Sequence, residues 1–210
     1  MICIMPVTRL ELFRDAIEAI ENDGWKVLYE IDNKRTGTNG ASAIRNKLLS
    51  QIINDATYIR FADDDDLMLP NRELAIETLI KNPDIDIVYF DYLLTENDTD
   101  RVVKFTGDLQ KDAIMTIPPW GWVARASSLK RVGEIFNPKL LAVEGGYAFF
   151  RLIKAGMKFK HIPHVAYNWR RGNTSSSLSR HIEVEREWIK LKENIKTYFE
   201  VEKSRGRLCR

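Results

Sequence analysis

The sequence predicts an α/β domain with a mainly parallel central sheet and helices on both faces. Short apolar or β-rich runs alternate with helix-period segments through the first 95 residues. The helical segments repeat apolar residues at spacings of three and four, which buries one face of each. The runs between them are too short for helices. Strand–helix–strand alternation gives parallel strands joined by crossover helices, and 210 residues are enough for one sizeable core.

The first strand is read in "MICIM" (1–5), and "LELFRDAIEAIEN" follows as a helix on Leu10, Phe13, Ile17 and Ile20. "WKVLYEI" (25–31) is the second strand, and "ASAIRNKLLSQII" is a helix on Ile44, Leu48, Leu49 and Ile52. "TYIRFA" (57–62), the helix "NRELAIETLIKN" on Leu74, Ile76, Leu79 and Ile80, and "IDIVYFDYLL" (85–94) complete the regular half. Beyond it lie a polar hairpin-like stretch (95–105), a loop "TIPPWGW" (116–122), and helices near 127–133 and 144–155. After "MKFKHIPHVAYNWR" and a "GNTSSS" turn, 181–201 is amphipathic through Val184, Trp188, Leu191, Ile195 and Tyr198. We expect one domain over 1–180, with a ligand-binding half (1–95) and a second half (96–180). A docked helix and basic tail would follow over 181–210.

Composition narrows the function classes little. Hydrophobic residues are 44%, charged residues 30%, and the formal net charge is +2, so overall charge argues neither for nor against nucleic acid. Cys3 and Cys209 sit near opposite ends, one in an apolar run and one in a polar tail, which argues against a structural disulfide. No apolar run approaches the about 18 residues that span a bilayer, and "MICIMPVTR" lacks the build of a signal peptide. A cytoplasmic location is expected.

Three polar segments follow the first three strands: "PVTR" (6–9), "DNKRTG" (32–37) and "DDDD" (63–66). In an open parallel sheet all three project beyond the carboxyl ends of the strands, where ligands bind. Alternation in an extended segment lets Asp63 and Asp65 face one way. Paired carboxylates raise one another's pKa unless a cation neutralises them, and Mg²⁺ or Mn²⁺ binds through such groups together with substrate phosphates. The competing reading is a solvated turn in which Asp66 caps the next helix. Arg45 is either a surface residue or an anion ligand at a helix entered through a glycine-containing turn. With Arg9, Lys34 and Arg35 on the same edge, a diphosphate is a fitting guest.

The run from "GTNGASAIRNKLL" through "YIRFADDDDLMLPN" resembles the family 2 glycosyltransferases of GT-A fold. Ala43-Ile44-Arg45-Asn46 is one residue off that family's Ala-Arg-Asn pattern, while Ala62 to Asp66 and Pro70 fit its acidic motif in register. "MICIMPVTR" is similar to the opening strand, "VLYEID" to the second strand, and "WVARASSLKRVGEIFNPKL" to the acceptor-side segment. "VEGGYAFFRLIKAGMKFKHIPHVAYNWR" is similar to the segment with the Glu-Asp motif. The resemblance covers about residues 1–181.

It implies a metal-dependent glycosyltransferase that moves a sugar from a nucleoside diphosphate sugar, a UDP-sugar first of all, to a hydroxyl with inversion. The acceptor would be a glycan or surface polysaccharide precursor, or a hydroxymethylated DNA base. Asp65 and Asp63 would hold Mn²⁺ or Mg²⁺. Asp64 would approach the ribose or sugar and Asp32 the base, with Pro6, Thr8, Arg9 and Arg45 completing the donor site. His181 lies where some members place a further metal or diphosphate contact. Trp120 and Trp122 suit stacking on an acceptor, with core packing the alternative for one of them. Glu144 aligns with the family's Glu, but Gly145 stands where the family has its catalytic Asp. Either Glu144 is the base, or an acid such as Asp91 or Asp112 is recruited, or the chain binds nucleotide sugars with impaired turnover. A nucleotidyltransferase ranks last, because "PVTRLELF" lacks a glycine-rich phosphate loop.

Overall fold

A computed structural model describes residues 1–32, 38–115, 121–140, 143–171 and 181–207. The elements run β1 (Ile2–Val7), α1 (Leu10–Asn22), β2 (Lys26–Ile31), α2 (Thr38–Ile52), β3 (Tyr58–Phe61), β4 (Leu67–Met68) and α3 (Arg72–Lys81). They continue with β5 (Ile87–Glu96), β6 (Thr99–Val103), α4 (Leu109–Met115), β7 (Trp122–Arg125), α5 (Ala126–Val132), α6 (Glu144–Lys154), β8 (Phe159–Arg171) and α7 (His181–Ser204). Every strand and helix expected in the first half is present, with no end moved by more than three residues.

The sheet has the order β2-β1-β3-β7-β5-β8-β4, with β6 pairing β5. Strands β1, β2, β3, β5 and β8 run one way; β4, β6 and β7 run against them. The antiparallel β7 lies between β3 and β5, pairing Tyr58 with Arg125 and Ile87 with Ala124. Its four residues run straight into α5, too short a stretch to show a strand period. The hairpin joining β5 and β6 turns at Asn97 and Asp98, whose φ values of 51° and 57° match a two-residue hairpin turn.

Phe61 of β3 centres the core, with ring centroids 5.3 Å from Trp122 and 4.9 Å from Phe136. Trp122 is therefore a core residue, 1% exposed, and has no face left for an acceptor. A buried charge also sits in β3. The Arg60 guanidinium lies over the Trp25 ring at 5.3 Å, donates to Asn71 at 3.3 Å and comes 3.8 Å from the Asp23 carboxylate. Asp23 in turn accepts from the backbone N–H groups of Asn71 and Arg72 at 3.2 and 3.1 Å, capping α3. The expectation that Asp66 caps this helix is thus corrected, because Asp23 from the end of α1 holds those donors. Helix α7 buries Leu191, Ile195 and Phe199 and contacts α4 and α6.

Candidate functional site

Strand β1 lies between β2 and β3, so the chain leaves it to one side and returns on the other. That reversal is the topological switch point of the sheet. The β1–β3 ladder covers only Ile2–Ile4 against Ile59–Phe61, and beyond it the carboxyl ends diverge. Ala62 still donates to Ile4 O at 3.1 Å, so even-numbered backbone groups of β1 face β3. Pro6, which has no N–H to offer, falls on that side just past the ladder, where none is needed. Thr8 and Arg9 follow β1, Asp32 follows β2 and the four aspartates follow β3.

The four aspartates have different partners. Asp64 turns back to β1: its Oδ2 accepts Thr8 N at 2.5 Å, Arg9 N at 2.6 Å and the Thr8 hydroxyl at 3.1 Å, while Oδ1 meets Arg9 Nη2 at 3.0 Å. It is the anchor that fixes the β1–α1 turn. The carboxylates of Asp63, Asp65 and Asp66 point elsewhere, with one oxygen of each lying within 4.8 Å of the other two. Asp66 is buried, accepting the Tyr167 hydroxyl and Arg170 N, the latter at 3.0 Å. Arg9 Nη1 reaches Asp65 at 2.7 Å, and Arg45 pairs with Asp63.

The electrostatics follow from this crowding. Burial, then the neighbouring Asp63, lifts Asp65 to about 6 although Arg9 opposes it. Burial, then Asp63 and Asp65, holds Asp66 well above the ordinary carboxylate range, against its bonds to Tyr167 and Arg170. Burial pulls Arg9 down, but Asp65 and Asp64 outweigh it and keep it above its usual value. A cluster in this state is short of positive charge.

Helix α2 supplies the next layer. Arg45 is no surface residue: it is buried, its guanidinium lies 5.6 Å from the centre of the Phe136 ring, and Nη1 comes 3.6 Å from Glu144. One side chain thus links Asp63 to Glu144, the first residue of α6. Burial raises the Glu144 pKa, with Arg45 opposing. Asn46 faces the loop beneath Phe136, donating to Phe136 O at 2.8 Å and accepting Phe136 N at 3.1 Å. Gly40 opens the helix against Asp32, where a Cβ would lie 1.8 Å from Oδ2. Only glycine allows that approach.

The structure therefore brings Thr8, Arg9, Arg45, Asp63, Asp64, Asp65 and Glu144 together, with Asp32 at the neighbouring strand end against Gly40. Trp120, Lys34 and Arg35 lie outside the described residues, as does the side chain of His181. Asp91 and Asp112 are buried in other work. Asp91 accepts Phe105 N at 2.9 Å and meets His161 Nε2 at 2.7 Å. Asp112 accepts the Tyr89 hydroxyl at 2.7 Å, Thr106 N at 2.7 Å and Gly107 N at 3.0 Å. Asp112 thus ties α4 to β5 and Asp91 ties β5 to Phe105 and to His161 of β8, roles that spend both acids on packing these elements. Sequence reasoning missed Asp66 as the third member of the cluster, and Tyr167 as its partner; no local signal joins residues 101 positions apart.

No protein-family model and no curated protein matches the chain. Solved structures do. The S. aureus TarS 1–349 structure superposes with a TM-score of 0.62 at 12% identity, over 80% of this chain and 60% of that one. The same protein in complex with UDP-GlcNAc gives 0.64 at 11%, over 83% and 59%. Its complex with UDP gives 0.63 at 12%, over 92% and 64%.

The fold is that of the GT-A glycosyltransferases. At such identity the likeness concerns the fold alone, and the chain spans about 60% of the length of the first structure it matches. In this GT-A fold the acidic cluster occupies the switch-point edge of the sheet, the edge that the sequence assigned to ligand binding. No helix among the described residues is long and apolar enough to cross a membrane.

Proposed function

We propose that the chain is a divalent-metal-dependent glycosyltransferase using a nucleoside diphosphate sugar, a UDP-sugar first, and a hydroxyl acceptor in the cytoplasm. One observation carries this reading: Asp63, Asp65 and Asp66 converge at the switch point with Arg9 and Arg45 beside them and Glu144 across Arg45. The UDP and UDP-GlcNAc complexes of TarS support the donor class.

The residues fit a hard cation. Three carboxylates with one oxygen each inside 4.8 Å provide oxygen-only donors, as Mg²⁺ and Mn²⁺ prefer, and burial, then the neighbouring carboxylates, raises the pKa of Asp65 and Asp66. When bound, the ion would offset charge developing on the departing diphosphate. Asp65 and Asp63 would hold it, with Asp66 completing the set. Arg9, fixed through Asp64, presents its guanidinium toward the diphosphate. Asp32 takes the base side and Thr8 the turn beneath the nucleotide. Glu144 accepts the proton of the attacking hydroxyl; its raised pKa brings it closer to the range in which a base works. Trp120 is assigned to the acceptor and His181 to a further metal contact. A glycan or surface polysaccharide precursor, or a hydroxymethylated DNA base, is the acceptor class.

A second reading is a nucleotide-sugar-binding protein without turnover. Glu144 already faces Arg45 at 3.6 Å, and Gly145 follows where the family it resembles has an acid. One experiment covers both. Melting temperature is measured with UDP, UDP-GlcNAc and other nucleoside diphosphate sugars, with Mn²⁺ or with chelator, and UDP release is followed in parallel. We expect stabilisation by a UDP-sugar that needs the metal, since ligand binding raises stability by mass action, together with UDP release. Stabilisation without release across acceptors supports the second reading; no stabilisation by any such sugar overturns both.

A further inference from the structure

Strand β2 ends the sheet, and among the described residues only β1 pairs with it. Lys26 N donates to Met1 O at 3.3 Å and Asp32 N to Val7 O at 2.8 Å, so the even-numbered residues spend their backbone groups on β1. By the two-residue period of a strand, the N–H and C=O of Val27, Tyr29 and Ile31 point outward. Natural edge strands are commonly guarded by proline, bulges or charge at their middle. This one has neither proline nor bulge over "KVLYEI", and its two charges, Lys26 and Glu30, flank an uncharged middle, Val27 to Tyr29.

The flanking surface is apolar. Tyr29 and Ile31 are 44% and 40% exposed on the face toward α1, whose first residue, Leu10, is 60% exposed. The Tyr29 ring packs 4.7 Å from Phe13, which shares its helix face with Leu10. Leu10, Phe13, Tyr29 and Ile31 thus make a stripe along an open strand edge. On the other face lie Lys26, Leu28 and Glu30, with Glu30 reaching Lys47 of α2 at 2.6 Å.

We propose that this edge pairs with the same edge of a second copy, antiparallel about a two-fold axis through Leu28. The charges select that occupant. Lys26 and Glu30 are equidistant from Leu28, so in this register each Lys26 faces Glu30 of the other copy, twice over. Val27 and Tyr29 then fall opposite one another and exchange their outward N–H and C=O groups, while the Lys–Glu pairs occupy the non-hydrogen-bonded positions where side chains are closest. A foreign strand would need an acid and a base at the same spacing; this chain carries them already. The apolar stripes meet on the α1 face, and the antiparallel arrangement sends the two acidic clusters to opposite ends. The inference is independent of the glycosyltransferase reading. With one short strand per copy the interface is small, so the dimer is weak and concentration-dependent.

Sedimentation equilibrium of the full chain over a concentration series reaching hundreds of micromolar tests it. The wild type should pass from monomer to dimer. K26E sets like charges opposite each other at two symmetric places and should weaken association about tenfold or more. The swap K26E/E30K restores opposite signs and should recover most of the loss. Circular dichroism and melting temperature verify that both variants fold, which matters because E30K also gives up the contact with Lys47. A wild type that stays monomeric overturns the proposal. So does a dimer indifferent to K26E, or a folded K26E/E30K variant no better than K26E.

Discussion

The Arg45 guanidinium lies between Asp63 and Glu144, so the charge state of one carboxylate is felt at the other. Removing the Glu144 charge while keeping its shape separates binding from proton transfer. In Glu144→Gln we expect turnover to fall by about 10²-fold or more, the usual range for a lost general base, with donor affinity changed only slightly. Measuring kcat together with the donor Kd checks this, and wild-type turnover would move the base elsewhere. Asp65 gives the pH dependence. Its folded-state value of about 6 lies above its ordinary 3.8, so between those values the folded protein holds a proton that the unfolded chain has released. Without metal, stability therefore falls as pH rises through that window. Below about 6 a metal must displace this proton, so its affinity should drop roughly tenfold per pH unit. Melting curves from pH 5 to 7.5 with chelator and with Mn²⁺ should diverge upward; a metal-induced shift independent of pH would refute the assignment, as would an unchanged shift in Asp65→Ala.

At the scale of elements, the junction of β2 with α2 depends on a contact that only one residue allows. In a helix, Gly→Ala ordinarily stabilises by about 0.5–1 kcal/mol. At Gly40 the added Cβ would come 1.8 Å from Asp32 Oδ2 and 2.7 Å from Cγ, forcing Asp32 or the first turn of α2 to move. Gly40→Ala should therefore lower the melting temperature and weaken UDP binding, read by calorimetry; a gain in stability would show that the contact is dispensable. The same junction shows what was legible beforehand. Strand ends and helix periods place "PVTR", Asp32 and "DDDD" on one edge without any coordinates, because a parallel sheet leaves them nowhere else to go. Within "DDDD" strand alternation also sets Asp63 and Asp65 together and turns Asp64 away from them, as in the structure. The partners are not legible: Asp64 is spent on Thr8 and Arg9, and Asp66, which joins the cluster, on Tyr167 and Arg170 from β8. Arg60 escaped notice for the same reason: its partners Trp25, Asp23 and Asn71 come from separate elements, and inside "YIRF" it has no local signature.

For the whole molecule the open question is whether the C-terminal helix belongs to the body. Periodicity set 181–201 apart as an amphipathic helix that docks on the body, without saying which elements its apolar face meets. In the structure Leu191, Ile195 and Phe199 are 4%, 1% and 3% exposed, α7 contacts α4 and α6, and the rings of Tyr198 and Phe150 lie 5.7 Å apart. Helix α6 begins at Glu144, and α4 is tied through Asp112 to Tyr89 and Thr106. Loosening α7 therefore acts on the helix that carries the proposed base. Phe199→Ala should cost about 3–5 kcal/mol, the usual loss for a buried phenylalanine. In a chain of this size that lowers the melting temperature by roughly 10 °C. If α7 is part of one cooperative unit, the variant melts in a single shifted transition by both helical signal and tryptophan fluorescence. Its turnover should also fall at temperatures where donor binding persists, because the α6 end of the site loosens before the β1–β3 end. An early, separate loss of helical signal, with tryptophan fluorescence and turnover unmoved, would instead make α7 an appendage with no hold on the site.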